Sequence, residues 1–397
     1  MPLDSPSPDA AKRPAKSGSG AEPGFRLGYC PGLDGLRGIA ILAVVMFHAR
    51  LAYWQMGYIG VHLFFSLSGF LITSLLVEEW DRFQALAIGR FYLRRILRLF
   101  PALVLMLAVF VGFRLLAAPR EAGAEALREA ATALFYASNW VCVLGPQRPY
   151  FLAHTWSLAI EEQFYLLWPL ALRWALKRGM SRASLLNWLL LGFAAAIVNR
   201  ALQYVRWDNP WRLNFGTDTQ ADSLLLGCAL AVALGAALPR CPGLWAARAP
   251  GAALGGGARL VLGWCGAAAL AGLFWLGASV SWDLGLEVCL GFPLIALLAT
   301  LTVLGVVAAP ASLLGRLVSN RCLVWIGKIS YGLYLWHLPV FLETQARHWP
   351  LWKELPMELG LTLVFVLASY YGLERPLLRL KARLAGVGGG LGCETKE

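Results

Sequence analysis

Apolar stretches long enough to cross a lipid bilayer recur along most of this chain. A helix needs about 20 predominantly apolar residues to span the hydrocarbon core. Backbone polar groups in lipid must be hydrogen-bonded within the protein, which favours helices for such stretches. Ten of them lie near 36–54, 58–77, 96–117, 157–175, 184–204, 221–238, 259–277, 284–307, 322–345 and 356–374. The sequence therefore predicts an all-α integral membrane protein, a bundle of about ten transmembrane helices in a lipid bilayer.

The composition supports a membrane protein. Hydrophobic residues make up 58% of the 397 residues and charged residues only 15%, whereas soluble domains carry about 25% charged residues. The formal net charge is +12, but no basic run is interleaved with aromatic residues in a soluble segment, so we expect no nucleic-acid binding. The eight cysteines form no C-x-x-C pair, so we expect no metal site and no disulfide framework.

The basic residues are distributed asymmetrically between the two sides of the predicted bundle. An even number of spans places both termini on the same side of the membrane. With the N-terminus inside, the tails and inner loops hold 25 of the 35 Lys and Arg residues. Cytoplasmic loops of membrane proteins carry such an excess. The sequence therefore predicts a multi-pass protein of the cell (inner) membrane with both termini in the cytoplasm.

Two ionisable residues, Arg37 and His48, lie in the first apolar segment. At about 100° per residue they differ by about 20° around a helix, and they lie about 16 Å apart along its axis. Alone, Arg37 would be an anchor that reaches the membrane interface, and His48 could hydrogen-bond a neighbouring helix. Ionisable side chains at membrane depth are costly and usually functional. Because Arg37 and His48 share a helical face, we interpret them as the two ends of one binding path.

Further polar blocks divide between the two predicted sides of the membrane. Arg95 and Arg98 share a face at the cytoplasmic start of the third segment, where they are either topogenic charge or a site for phosphates. Glu161 and Glu162 lie on the outer side, where they gain from a helix dipole or one serves as an acid or base. The outer candidates for substrate binding are His154, Trp156, Tyr165 and His337. Arginines on the inner side and histidines and glutamates on the outer side would suit a site that takes a charged donor substrate from the cytoplasm and acts on an acceptor substrate outside.

Five blocks carry these residues in a fixed order, at 33–40 with His48, 63–70, 91–98, 154–165 and 329–337. In this order they resemble the acyltransferase 3 family of polytopic membrane O-acyltransferases. The resemblance covers about residues 29–380. We therefore expect a transmembrane acyltransferase domain at 28–380, a disordered cytoplasmic tail at 1–27, where Pro, Ser, Gly and Ala abound, and a short cytoplasmic tail at 381–397.

The resemblance implies an activity. Members of the family transfer an acyl group, commonly acetyl from acetyl-CoA, to a hydroxyl of a sugar or another extracytoplasmic acceptor. The essential arginine and histidine of the first helix map onto Arg37 and His48, and the Arg-x-x-Arg pattern maps onto Arg95 and Arg98. Because these positions match, we expect the chain to be an O-acetyltransferase that acts on a carbohydrate.

The sequence also departs from the family pattern. Gln220 stands where arginine is common, and His62 stands where aspartate is frequent, so we assign neither a function. The chain ends soon after its last apolar segment. We therefore expect no appended esterase-like domain and transfer by this protein alone or with a partner.

The expected mechanism joins the two ends of the first helix. Three arginines are expected to hold the phosphates of acyl-CoA: Arg37, Arg95 and Arg98. His48 would act as general base on the acceptor hydroxyl or carry the acyl group briefly. Glu161 or Glu162 would orient that imidazole or stabilise its charge.

Two other classes of protein remain open at this point. A glycan transporter or flippase would also bury charges in a helical bundle, but it would need no acyl donor. A non-catalytic membrane scaffold would tolerate the loss of His48. The acceptor is open as well: lipopolysaccharide, capsule, glucan, nodulation factor and antibiotic sugar all fit.

Overall fold

The computed structural model describes residues 28–51, 55–117, 120–145, 148–207, 209–237, 255–279 and 285–377, so the predicted tails at 1–27 and 381–397 lie outside the described residues. Within these ranges all regular structure is helical. The α-helices are α1 Pro31–His48, α2 Ile59–Phe83, α3 Ile88–Ala117, α4 Arg120–Leu134, α5 Ser138–Leu144, α6 Thr155–Lys177, α7 Arg182–Trp207, α8 Pro210–Phe215, α9 Ala221–Ala237, α10 Gly256–Ser279, α11 Gly285–Ala308, α12 Leu313–Val318, α13 Arg321–Lys328, α14 Ser330–Gln345 and α15 Leu351–Ser369.

The number of spans differs from the predicted ten. Over the described ranges, seven helices are long and apolar enough to cross a membrane: α1, α2, α3, α7, α10, α11 and the segment Leu351–Leu377. The other three predicted spans are not long and apolar enough to be counted as membrane-spanning helices, and each has a physical reason. Helix α6 carries Glu161, Glu162 and further charges, α9 has only 17 residues, and 322–345 is divided into α13 and α14 at Ile329. The all-α membrane architecture is confirmed, but the count of about ten is not.

Several long helices expose apolar side chains. Tryptophan, leucine and valine lie on the outer faces of α7 and α10, at Trp188, Leu191, Val198, Leu202, Leu260, Val261, Trp264 and Trp275. Soluble monomers rarely expose apolar patches of this extent. These faces therefore fit contact with lipid, whereas α1 and α2 are mostly buried within the protein.

Helix α1 lies at the centre of the bundle. Pro31 begins it, because proline at the first helical turn forfeits no backbone hydrogen bond. Leu36, Ala40 and Ile41 are completely buried, and α1 packs against α2, α13 and α14. This position holds Arg37 and His48 inside the protein rather than at its periphery.

Glycines allow α1 to approach its neighbours closely. A methyl group at Gly38 would collide with the carbonyl oxygen of Leu323 in α13, and one at Gly327 would collide with the carbonyl oxygen of Asp34 in α1. Small residues at such contacts let helix backbones pack together in membranes. The packing therefore fixes both the depth and the rotation of α1.

A glycine substitution tests this packing. We expect Gly38→Ala to destabilise the protein by about 1–3 kcal/mol, because overpacking a tight contact forces side chains and backbone to move. The matched control is Gly360→Ala in α15, where no atom lies within 4 Å of the added methyl group. Thermal unfolding of the detergent-solubilised variants measures both changes, and equal stability of the two would contradict the proposed close contact.

Candidate active site

Three histidines lie together at one end of the bundle, which we call the histidine end. His48 ends α1, His154 directly precedes α6, and His337 lies in α14. The ring centroids of His48 and His337 are 5.0 Å apart, and those of His154 and His337 are 5.2 Å apart. His154 and His337 are buried. Residues from three separate parts of the sequence thus form one imidazole cluster.

The hydrogen bonds within the cluster define which nitrogen of His48 is free. His337 Nδ1 lies 2.7 Å from the carbonyl oxygen of Tyr334 and must donate to it. In a neutral ring, His337 Nε2 is then an acceptor. It lies 3.2 Å from His48 Nδ1, which is also 3.0 Å from the carbonyl oxygen of Val44. His48 Nδ1 is therefore the donor, and its Nε2 keeps a lone pair that can accept a proton.

The backbone of His48 is held by a second set of contacts. Gln345 donates from Nε2 to the carbonyl oxygen of His48 at 3.0 Å and to Glu358 Oε1 at 2.8 Å. Glu358 belongs to α15 and is completely buried. Helices α14 and α15 therefore fix the end of α1 where His48 lies.

Tyr334 and Ser157 form the inner boundary of the histidine cluster. The Tyr334 hydroxyl donates to the carbonyl oxygen of His154 at 2.6 Å. Its oxygen lies 2.5 Å from Ser157 Oγ, which is left as the donor of that pair. Sequence reasoning missed both residues. Each lies three positions from a predicted histidine, so helical spacing from His154 and His337 could have indicated them.

A small cavity of about 60 Å³ lies beside Arg37, among helices α2, α6 and α14. Its polar wall is formed by Arg37, Ser157, Glu161, Ser330, Tyr331 and Tyr334, and its apolar wall by Val61, Phe64, Phe65 and Leu158. Tyr334 of this lining also donates to the carbonyl oxygen of His154, so the cavity reaches from Arg37 towards the histidine end.

Arginines gather around Arg37, which lines the cavity, and we call this region the arginine end. Arg37 donates from Nη2 to Ser330 Oγ at 3.3 Å, and its Nε has no hydrogen-bond partner among the described residues. Arg95 lies with its guanidinium 3.2 Å from the centre of the Tyr165 ring. Arg98 is exposed and lies within electrostatic reach of Arg37 and Arg95. The structure thus brings together the three arginines that the sequence analysis grouped.

The two glutamates of α6 lie with the arginines rather than with His48. Glu162 pairs with Arg95 at 3.9 Å. Glu161 accepts from Ser68 Oγ at 2.9 Å and from the Tyr165 hydroxyl at 3.3 Å. The predicted contact of these carboxylates with His48 is therefore not what the structure shows. Glu161 lies seven positions after His154, a rise of about 10 Å that carries the carboxylates away from the histidine end.

The remaining predicted residues divide between the two ends. Tyr165 was predicted to bind the outer substrate, but it lies at the arginine end against Arg95. Trp156 lies beside the histidine end and packs between Phe65 and Phe215. Over the described ranges, no group of three or more His, Cys, Asp or Glu side chains is arranged to hold a metal ion.

His62 belongs to a separate buried cluster. Its Nδ1 lies 3.0 Å from Ser223 Oγ. The neighbouring pair Arg200 and Asp222 is completely buried, with 2.7 Å between Nη2 and Oδ2. A buried ion pair of this kind joins α7 to α9 but lies apart from the cavity.

Comparison with known proteins assigns the chain to a family. The family profile described as an acyltransferase domain matches residues 31–374. The chain belongs to the acyltransferase 3 family. O-acetyltransferase OatA of Staphylococcus aureus is 33% identical over 365 residues, which cover 88% of this chain and 57% of that protein. Peptidoglycan O-acetyltransferase OatA of Listeria monocytogenes is 33% identical over 363 residues, covering 88% and 56%.

A third relative of this acyltransferase 3 protein is the putative peptidoglycan O-acetyltransferase YrhL of Bacillus subtilis. It is 34% identical over 362 residues, which cover 88% of this chain and 55% of the relative. The chain thus spans little more than half the length of these relatives. No solved structure matches it. The resemblance drawn from the five sequence blocks is confirmed, and those blocks surround the cavity and its two ends.

Substitutions of Tyr165 test the geometry of the arginine end. Tyr165→Phe keeps the ring beside Arg95 but removes the hydroxyl that contacts Ser68 and Glu161, so we expect a loss of about 1 kcal/mol in stability. Tyr165→Leu also removes the aromatic face, and we expect a further loss of about 1 kcal/mol because a cation–π contact in a desolvated site is lost. Unfolding in detergent measures both. An identical stability of the two variants would argue against the Arg95–Tyr165 contact.

Proposed function

We propose that this protein is a membrane O-acyltransferase that moves an acyl group, acetyl in the simplest case, from acyl-CoA to a hydroxyl of a carbohydrate. The observation that carries this proposal is the cavity that reaches from Arg37, one of three grouped arginines, towards the histidine cluster, where its lining residue Tyr334 contacts His154. Membership in the acyltransferase family and the names of the O-acetyltransferase relatives support it. The peptidoglycan named for two relatives makes a cell-wall glycan our proposed acceptor.

The arginine end is suited to the phosphates of the donor. Guanidinium groups bind phosphate through two parallel hydrogen bonds, which a planar fork favours. Arg37 has an unpartnered buried Nε, and Arg98 is exposed. Arg95 is already oriented by Tyr165 and Glu162. We propose that Glu161 and Glu162 position this arginine end, rather than acting on His48.

The cavity would hold the acyl-bearing arm of the donor. Its wall is polar along α6 and α14 and apolar along α2. Apolar walls combined with a few directed polar groups are typical of sites for small-molecule ligands. Binding there would exclude water and point the thioester towards the histidine end.

His48 would activate the acceptor at the histidine end. Its free Nε2 can take the proton of the acceptor hydroxyl while the hydroxyl oxygen attacks the thioester carbonyl. The carbon–sulfur bond then breaks, and the leaving thiolate takes the proton back from the imidazolium. A covalent acyl-His48 intermediate is the second form of this step, with the acceptor attacking afterwards.

The orientation in the membrane is part of the proposal. The excess of basic residues in the predicted inner loops supports a cytoplasmic arginine end, cytoplasmic termini and a cell membrane location. On this orientation the donor enters from the cytoplasm, and the histidine end faces the extracytoplasmic acceptor.

A first experiment asks whether acyl transfer occurs at all. We expect the purified protein to release CoA from acetyl-CoA labelled in the acetyl group and to label a peptidoglycan fragment added as acceptor. A transporter or scaffold would give neither product. Mass spectrometry of the fragment and a thiol assay for free CoA measure the two products, which must appear in equal amounts.

The role of His48 is tested by His48→Asn, which removes the base. We expect transfer to fall by about 10²- to 10⁴-fold, the usual contribution of a general base. The control is His348→Asn, a change at an exposed histidine in the turn after α14. A folded His48→Asn protein that transfers acetyl at the wild-type rate would refute the proposed role.

The role of Arg37 is tested by Arg37→Ala. We expect the KM for acetyl-CoA to rise by about 10- to 100-fold, since a charge-assisted hydrogen bond contributes about 1.5–3 kcal/mol. Arg94→Ala is the control, because Arg94 is an exposed arginine beside Arg95 that does not line the cavity. If both variants kept the wild-type KM, the assignment of the donor phosphates to the arginine end would be wrong.

A further inference from the structure

Four aromatic rings form a continuous row from the cavity wall to the surface of the histidine end. Phe65, which lines the cavity, is 6.3 Å from Trp156 between ring centroids. Trp156 is 4.9 Å from Phe215, and Phe215 stacks on Trp211 at 5.3 Å with an interplanar angle of 24°. Trp156, Phe215 and Trp211 are only partly buried. The row therefore offers ring surface outside the core, starting at the cavity.

The side chain of Arg148 lies at the outer end of this row of rings, next to Trp211. The guanidinium carbon of Arg148 lies 4.1 Å from the centre of the Trp211 ring. Arg148 Nε donates to the carbonyl oxygen of Cys142 at 3.2 Å, which orients the group. Arg148 is an exposed residue. This places an oriented positive charge at the outer end of an aromatic surface.

Buried polar side chains hold the row in place. Asn139 is completely buried and donates from Nδ2 to the carbonyl oxygen of Phe215 at 3.1 Å and to Thr217 Oγ1 at 2.9 Å. Gln163 of α6 donates to Asn139 Oδ1 at 3.0 Å and accepts from Thr217. Buried networks of this kind make a surface rigid. A binding surface that is rigid in advance loses less entropy when a ligand binds.

Helix α8 is fixed in the same way. Asn209 caps its first turn by accepting a hydrogen bond from the backbone nitrogen of Trp211 at 3.0 Å. Arg212 donates two hydrogen bonds to Asp218, at 2.9 and 2.6 Å. The positive charge of Arg212 is thereby neutralised within the protein. Arg148 thus supplies the charge that is open to a ligand beside Trp211.

We infer that the row Phe65–Trp156–Phe215–Trp211 binds the acceptor saccharide and that Arg148 selects a sugar that carries a carboxylate. The inference rests on the proposed function, because it names the acceptor of that same site. Sugar rings present C–H groups that pack against the electron-rich faces of aromatic rings. A guanidinium recognises a carboxylate through paired hydrogen bonds. An acidic saccharide therefore matches both the ring surface and the charge at its end.

The experiment compares two disaccharides that differ in one carboxylate. The acidic probe is N-acetylglucosaminyl-N-acetylmuramic acid with a free lactyl carboxylate, and the neutral probe is diacetylchitobiose. Titration calorimetry measures their binding to the detergent-solubilised full chain without any acyl donor. The variants are Arg148→Gln, Arg148→Lys and Trp211→Ala. The control is Arg347→Gln, which changes another arginine that packs on a tryptophan, Trp349, at 5.4 Å.

We expect the wild type to prefer the acidic disaccharide. Arg148→Gln should weaken binding of that probe by about three- to tenfold and leave the neutral probe unchanged, whereas Arg148→Lys should keep most of the preference. Trp211→Ala should weaken both probes, and Arg347→Gln should change neither. Equal affinities of the wild type for both probes, or an unchanged preference in Arg148→Gln, would overturn the inference.

The same variants separate this inference from the proposed acyl transfer. If the wild type transfers acetyl but Arg148→Gln retains the wild-type preference for the acidic disaccharide, the saccharide assignment fails and the transferase activity stands. If the wild type transfers no acetyl but still binds the acidic probe through Arg148, the saccharide site stands and the transferase assignment fails.

Discussion

The close packing of α1 is the constraint on which the candidate site depends. Backbone contacts at Gly38 and Gly327 bring α1 against α13, and Gln345 and Glu358 hold its last residue. A rigid helix in this position has only one way to present its polar face. Arg37 and His48 therefore mark fixed ends of a path about 16 Å long. The cavity lies beside the Arg37 end of that path, between Phe65 of α2 and Tyr334 of α14.

The two ends of the path differ in chemistry, and the difference follows from their partners. At the histidine end, backbone carbonyls orient His337, which in turn orients His48, so a chain of donors leaves one imidazole nitrogen free. At the arginine end, carboxylates and a tyrosine ring surround Arg95. Charged groups at membrane depth need such partners, because desolvation is otherwise too costly. On the proposed function, binding of the donor's phosphates and transfer of a proton would take place about 16 Å apart along α1.

The sequence allowed part of this site to be predicted. The eleven-residue spacing of Arg37 and His48 was enough to place both on one helical face, because helical geometry depends only on local sequence. The pairing of His48 with His337 could not be read in this way, since the two are 289 residues apart and meet only through the packing of α1 on α14. Glu161 was placed by its predicted side of the membrane. Topology alone does not resolve the 10 Å along α6 that bring it to the arginines. The predicted number of about ten spans is not confirmed, because charges or helix breaks interrupt some apolar stretches, as at Ile329.

The ion pair of Arg95 and Glu162 explains how an arginine end can be both stable and open to a donor. At 3.9 Å the pair is too long for a hydrogen bond, and neither Arg95 Nε nor Glu162 Oε1 has a hydrogen-bond partner among the described residues. The carboxylate therefore lowers the cost of burying the guanidinium without occupying its donors. The Tyr165 ring lies against the guanidinium plane and leaves the edge of the fork for other acceptors. A phosphate could then bind at that edge without first displacing a strong partner. The carboxylate would in turn weaken phosphate binding enough for the product to leave.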